Sequence, residues 1–275
     1  MIALTGSTGA LGGRIAPALV DLAPRLLVRH VERAPQLGLD VRPVSYDDAA
    51  AATAALDGVD TLLMVSASES ADRRAQHRTF ISSAARAGVR HIVYTSFAGA
   101  ADDATFTLGR DHADAEAAIR ESGMTFTLLR DNFYLDVLPL FADVGGVIRG
   151  PAGSGRVAAV ARADVADVAV EVLRDPVAHA GATYTLTGPE ALTFDEVASR
   201  AAAVLGHDLR FENQTLDEAY ASRRAAYPDA ADWQLEAWVS TYIAVADGSC
   251  ASVTDHVHHV TGHPARSLEE ALAPG

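Results

Sequence analysis

The 275-residue chain has no lysine; all 22 of its basic residues are arginine. It has one cysteine, Cys250, so no intrachain disulfide can form and no Cys-x-x-Cys zinc pattern exists. This fits a reducing compartment, and a cytoplasmic location is expected. No apolar run is long enough to span a bilayer. Met1 runs directly into Ile-Ala-Leu-Thr-Gly, without the basic start and cleavage site of a secretory signal. Basic charge is scarce, with 22 arginines against 36 acidic residues and a formal net charge of -14. A chain so acidic lacks the basic face that phosphate neutralisation requires, so neither direct nucleic-acid binding nor an anionic membrane surface is expected. Arg73, Arg74 and Arg78 read as a solvated helix face.

What remains is ample for a folded core: 49% of residues are hydrophobic, with enough length for a large domain and a smaller partner. Short apolar runs alternate with helical patterns. Strands are expected at Ile2–Thr5, Leu26–Arg29, Val41–Val44, Thr61–Val65, Arg90–Thr95 and Thr125–Arg130. Helices are expected at Ala10–Asp21, at Asp48–Leu56 with Asp47 or Asp48 as its cap, at Ser70–Ala87 and at Arg110–Glu121, with Gly88 and Gly123 closing the last two. Strands alternating with helices imply crossover units and a parallel sheet. The fold class is α/β, a Rossmann-type doubly wound parallel sheet with a smaller, mostly helical C-terminal substrate lobe. Residues 1–132, with 156–187 returning, are assigned to the nucleotide domain; 133–155 and 188–275 form the substrate side. A helix from Asp164 to Arg174, a strand at Thr183–Leu186 and a helix capped by Thr193 with Glu196 complete the reading.

The chemistry-bearing motif is Thr5-Gly6-Ser7-Thr8-Gly9-Ala10-Leu11-Gly12, lying between a strand and an apolar-periodic helix. Gly6 permits the tight turn, Gly9 leaves room for a pyrophosphate, and Gly12 allows close packing of helix on sheet. The second strand ends Val28-Arg29-His30, with no acid at its tip to hold a ribose 2′-hydroxyl. A guanidinium there suits a 2′-phosphate, so NADP(H) is expected, with NAD(H) as the alternative. Four tail histidines, His256, His258, His259 and His263, offer imidazoles, and the His259–His263 spacing would share a helical face. They are read as part of a helix and turn, and no metal is expected.

The glycine turn, Val28-Arg29, Asp57-Gly58-Val59-Asp60, Tyr94-Thr95-Ser96 and Leu128-Leu129-Arg130-Asp131-Asn132 together resemble the atypical short-chain dehydrogenase/reductase group. Gln76-His77-Arg78, Gly109-Arg110-Asp111-His112 and the tail Thr261-Gly262-His263-Pro264-Ala265-Arg266-Ser267-Leu268 narrow the resemblance to its NmrA-like branch, near the NAD(P)H-dependent quinone oxidoreductases. The resemblance implies that Gly6, Ser7, Thr8, Gly9, Ala10, Leu11 and Gly12 surround the pyrophosphate and that Arg29 meets the adenosine phosphate. It implies that Ser66 and Ala67 line the adenosine–ribose path, that Thr95, Ser96 and Phe97 lie by the nicotinamide ribose, and that Asn132, Phe133 and Tyr134 border nicotinamide and substrate.

Most short-chain dehydrogenases carry a Tyr-x-x-x-Lys proton relay. Here His112-x-x-x-Glu116 fits the helix, placing His112 at the lysine position and Leu108 at the tyrosine position, so the relay is absent. His112 and Tyr134 are the candidate catalytic residues: His112 as general acid or ribose contact, Tyr134 as a hydrogen-bond donor to a substrate carbonyl. Tyr94 is expected in the core, and Arg130 is expected to pair with an acid. Phe97, Phe133, Tyr134 and Phe141 could wall a flat apolar pocket. The implied function is NADPH-dependent hydride transfer to a quinone-like or other small conjugated acceptor. The alternative is an NADP(H)-binding redox sensor without catalysis. A homodimer is left open.

Overall fold

Strand β1 (Ile2–Thr5) is nearly all buried, and it pairs in parallel on both sides, with β2 (Arg25–Val28) and with β4 (Thr61–Met64). Apolar residues on both faces are what a central parallel strand requires, since helices cover each side. The computed structural model, which describes residues 1–273, extends this seed into a seven-stranded sheet of order β3-β2-β1-β4-β5-β6-β8. Its other members are β3 (Val41–Pro43), β5 (His91–Phe97), β6 (Thr125–Asp131) and β8 (Thr183–Leu186). The chain runs outward from β1 through β2 to β3, then crosses back to β4 and proceeds the other way. The strand order therefore reverses between β1 and β4, and ligands of such sheets bind beyond the carboxyl ends at that point.

The connecting helices are α1 (Gly12–Ala18), α2 (Ala49–Ala55), α3 (Arg73–Arg86), α4 (Thr107–Glu121) and α5 (Arg162–Arg174). Helix α1 is shorter than the expected Ala10–Asp21, and the chain continues as a 3-10 turn, Val20–Leu22. Pro17 explains the early end, because it has no N–H to give to a preceding carbonyl. Asp48 caps α2 as expected, its carboxylate accepting from the N–H groups of Ala50 and Ala51.

The chain divides into two compact units. The first comprises Met1–Phe97, Asp111–Arg130 and Val165–Tyr184; the second comprises Ala98–Arg110, Asp131–Asp164 and the chain from Thr185 onward. The core of the first unit gathers Leu62, Met64, Phe80, Ile92, Tyr94, Ile119 and Leu128, all essentially without exposure. Each such side chain contributes about 1.5–3 kcal/mol on burial.

The second unit holds α6 (Phe194–Leu205), α7 (Leu216–Ala226), α8 (Asp232–Ala246), α9 (His256–Thr261) and α10 (Leu268–Leu272). Thr193 and Glu196 make the expected capping box on α6, and Thr215 with Glu218 and Ser267 with Glu270 repeat it on α7 and α10. The mostly helical expectation missed one feature: β7 (Val147–Gly150) pairs in parallel with β9 (Arg210–Asn213). These strands are four residues each, too short for periodicity to reveal. Phe194 stacks on Phe211 and Tyr242 at 5.3 and 4.9 Å, and Gly150 is bare because a Cβ there would lie 2.3 Å from the Tyr242 ring.

Candidate functional site

The glycine turn follows β1 and is closed by Gly9 N–H donating to the Gly6 carbonyl at 2.9 Å. Its three glycines are bare for different reasons. Gly6 adopts φ +68°, and a Cβ on it would lie 2.9 Å from the Val65 side chain at the end of β4. A Cβ on Gly12 would meet the Gly6 carbonyl oxygen at 2.3 Å. Both are required by the protein's own packing. Gly9 has negative φ, and its hypothetical Cβ would lie 3.3 Å from the Gly6 carbonyl oxygen, a tight contact but a far milder one than at Gly6 or Gly12.

Ser7 supplies a second sign of a ligand. Its hydroxyl is buried and has no hydrogen-bond partner. An orphaned buried hydroxyl is costly, and inside a turn of this form a phosphate oxygen is the partner that would satisfy it. Arg29 follows β2 directly, is exposed, and has no ion pair among the described residues. An exposed guanidinium at the tip of β2, with no acid holding it, fits a further phosphate. The turn, Ser7 and Arg29 thus fit a phosphorylated dinucleotide.

The first unit also brings the β4 and β5 ends together. Thr95 Oγ1 accepts from Ser66 N–H at 2.8 Å. Val65 N–H donates to Thr5 Oγ1 at 2.8 Å, and Tyr46 Oη lies 2.6 Å from that same oxygen. Ser96 Oγ donates to Glu116 Oε1 at 2.6 Å. Glu116 is 1% exposed and also receives both arms of Arg130, at 2.8 and 2.7 Å. Arg130 does pair with an acid, and its guanidinium holds the Glu116 carboxyl below the usual range against the opposing effect of burial.

His112 lies in the second turn of α4, not at a helix start, because the helix begins three residues earlier than expected, at Thr107. It is buried, and both ring nitrogens are engaged. Nε2 faces Arg73 Nη2 at 3.1 Å, and Nδ1 faces Tyr94 Oη at 3.0 Å. A guanidinium only donates, so Nε2 is the acceptor and Nδ1 carries the hydrogen. Burial and the Arg73 charge push its pKa well below the ordinary value, leaving the ring neutral. The expected general-acid part needs a proton that this environment removes. Arg73, which looked like part of a solvated face, is itself buried; it donates to the Ala67 carbonyl at 2.9 Å and reaches Asp111 at 3.5 Å. His77 Nε2 accepts from Ala67 N–H at 2.9 Å, and burial pushes its pKa down to about 3. Ala67 is therefore gripped at both its N–H and its carbonyl. Periodicity marks neither Arg73 nor His77 as inward-facing. Tyr94 is in the core as expected, and the Phe97 ring lies 6.3 Å from that of His112.

Asn132, Phe133 and Tyr134 belong to the second unit. The amide of Asn132 is committed: Nδ2 donates to the Cys250 carbonyl at 2.9 Å and Oδ1 accepts from Phe133 N–H at 2.8 Å. Phe133 meets Phe106 edge-on at 5.1 Å, and Phe141 is partly exposed. Tyr134 donates to Asp131 Oδ2 at 2.7 Å, and the Arg162 guanidinium sits 5.8 Å from its ring centre. The other oxygen of Asp131, Oδ1, is buried with no partner, and burial pushes the Asp131 pKa up to about 8. The sequence carries no signal for this, since an Asp at a strand end is commonly solvated.

The tail histidines do not share a helical face. Helix α9 ends at Thr261 with Gly262 in the left-handed region, so His263 lies beyond it, with Nδ1 2.9 Å from the Pro264 carbonyl oxygen. His256 Nδ1 accepts from Thr185 N–H at 3.0 Å. Among the described residues, no helix is long and apolar enough to cross a membrane.

The profile of a family described as NAD(P)H-binding matches residues 6–176. Quinone oxidoreductase 2 of Escherichia coli (strain K12) is 33% identical, over 99% of this chain and 98% of its own. A (4-alkanoyl-5-oxo-2,5-dihydrofuran-3-yl)methyl phosphate reductase of Streptomyces griseus subsp. griseus is 36% identical over the whole of both chains. The crystal structure of a Citrobacter sp. triphenylmethane reductase complexed with NADP(H) superimposes with a TM-score of 0.86 at 30% identity, covering 99% of each chain. The chain belongs to the NAD(P)H-binding family, with quinone-reductase and NmrA-like relatives.

Proposed function

We propose that this protein is an NADPH-dependent oxidoreductase that reduces a quinone or a similar small conjugated carbonyl compound. The observation that carries the reading is the turn itself, with the Ser7 hydroxyl unpartnered and Arg29 exposed without an ion pair. Arg29 favours the 2′-phosphate of NADP(H) over the hydroxyl of NAD(H). The relatives named above reduce quinones, an unsaturated oxo-furan and a triphenylmethane dye. Electron-poor conjugation is common to these acceptors, which supports the substrate class.

When bound, the reduced nicotinamide supplies the hydride. In this reading Gly6, Ser7, Thr8, Gly9, Ala10, Leu11 and Gly12 hold the pyrophosphate, and Ser66, Ala67, Thr95, Ser96 and Phe97 continue the cofactor path. Asn132 and Phe133 are the remaining residues proposed to contact the cofactor. His112 acts by fixing Arg73 and, through it, the Ala67 carbonyl. Tyr134 donates a hydrogen bond to the acceptor oxygen on which negative charge develops.

The test is oxidation of NADPH and of NADH, followed by absorbance, against a panel of quinones and conjugated carbonyls. Turnover with a strong NADPH preference is expected. Tight NADPH binding without turnover of any acceptor would instead mark a redox-sensing regulator.

A further inference from the structure

Asp131 is the last residue of β6, and its buried carboxyl group has surroundings that do not suit a negative charge. One oxygen, Oδ1, has no donor at all. The other touches only Tyr134, at 2.7 Å. Among the described residues no cation pairs with it. Arg162, which faces the Tyr134 ring, is committed to Asp136 by a 2.6 Å bond. Compare Glu116, equally buried but held by Ser96, Arg120 and Arg130. A buried carboxylate oxygen without donors costs several kcal/mol, whereas a neutral carboxyl leaves only a bare carbonyl oxygen unpaired, a mild defect.

We infer that Asp131 is kept as a neutral carboxylic acid and is the proton source of this enzyme, acting through Tyr134. Tyr134 Oη donates to Oδ2 at 2.7 Å in the structure; with the acid hydrogen on Oδ2 that bond is reversed, the carboxyl donating to Tyr134 Oη and the phenolic hydrogen turning toward the acceptor. This rests on the reductase reading above. The balance is complete. Bound NADPH would be the reductant, supplying a hydride to an acceptor carbon, and the displaced π pair would come to rest on the conjugated oxygen. The Tyr134 proton passes to that oxygen as the Asp131 proton passes to Tyr134 Oη. The resulting carboxylate takes a proton from water after product leaves. Such a pair replaces the function of the missing Tyr-x-x-x-Lys relay with different residues. The buried environment matches the task, since burial pushes the Asp131 pKa up to about 8, near the working pH of a general acid. The charged and titratable groups facing the pair are Arg162 and Asp136, bonded to each other.

Two measurements test the relay. The first is difference infrared spectroscopy of the wild-type protein between neutral and alkaline pH. A protonated-carboxyl C=O band that disappears through about pH 8, and is missing in Asp131→Asn, is expected. The second is the pH profile of kcat at saturating NADPH. Wild-type kcat should fall as pH rises through the same range. Asp131→Asn keeps the contact to Tyr134 but has no acidic proton; its kcat should drop about 100-fold with KM little changed and the alkaline fall abolished. Tyr134→Phe should lose kcat similarly while keeping the infrared band. Absence of the band, or an Asp131→Asn enzyme with wild-type kcat and profile, overturns the relay alone. A wild-type protein that binds NADPH and reduces no acceptor overturns the reductase reading and the relay with it, while the band still reports whether Asp131 is neutral.

Discussion

Arg73 Nη2 donates to His112 Nε2 at 3.1 Å, between two buried side chains on neighbouring helices of the first unit. This bond assigns His112 its tautomer and gives it a holding task. His112→Ala leaves a buried guanidinium arm without an acceptor and should destabilise the protein by about 2–4 kcal/mol. Urea unfolding of the two single variants and the double variant Arg73→Ala/His112→Ala should show a coupling of about 1–2 kcal/mol. Additive effects would contradict the pairing. The alkaline limb of the kcat profile should stay where it is in His112→Ala, because a neutral ring has no proton to lose there.

Stability should pass through a maximum near neutral pH. His77 is pushed down to about 3 and His112 well below its ordinary value, while both titrate near 6.5 when unfolded. The unfolded chain therefore binds more protons below that point, so this contribution is present above pH ~6.5 and lost as pH falls. Asp131 works oppositely. Raised from 3.8 to about 8, it retains a proton that the unfolded chain releases, and its contribution fades as pH climbs to about 8. Unfolding free energies near pH 5, 6.5 and 8 should change by about 1–3 kcal/mol per unit, rising and then declining. Asp131→Asn should flatten the decline; an unchanged decline assigns it to other groups.

Gly9→Ala and Gly12→Ala should separate ligand from fold. At Gly12 the new methyl would lie 2.3 Å from backbone oxygen, so Tm should fall by many degrees or folding should fail. At Gly9 the closest atom is 3.3 Å away, so Tm should fall much less than in Gly12→Ala. NADPH affinity of Gly9→Ala, measured by fluorescence titration, should nonetheless weaken by about 10-fold or more. Equal thermal losses in both variants would deny the distinction.

Ser7→Ala should show the inverse of an ordinary buried hydroxyl. Because Ser7 Oγ has no partner in the protein, its removal should leave stability unchanged or slightly improved. Affinity for NADPH should fall, by about 5- to 10-fold. A clear loss of stability without loss of affinity would show that the hydroxyl serves the fold.

Arg29→Ala should discriminate the two cofactors. Loss of a charge-assisted contact to the 2′-phosphate should raise the KM for NADPH about 10- to 100-fold while leaving NADH nearly unaffected. Parallel titrations of both cofactors decide it, and equal changes would place Arg29 elsewhere.

The glycine turn, the alternation of strand and helix, the Asp48 and Thr193 caps and the acid partner of Arg130 were all legible in order along the chain. Each depends on neighbours a few residues apart, or on a residue type with one strong preference, and such preferences need no tertiary knowledge. The short β7–β9 pair was not legible, because four residues carry too little periodicity and the two strands are far apart in the chain, Val147 facing Arg210. Nor were the states of the polar residues. His112 and Glu116 are four apart on one helix, yet one is neutral beside an arginine and the other is ionised between two. Arg73 and Arg74 are adjacent, yet one is buried and the other exposed. Asp131 reads as an ordinary acid until its surroundings show an oxygen with no donor. The sequence alone determined that a phosphate-binding turn opens this chain, since three glycines at that spacing between strand and helix have few other uses. Only the tertiary structure decided which acid keeps its proton and which histidine has none, because solvation and charge at a buried atom are set by side chains distant in sequence.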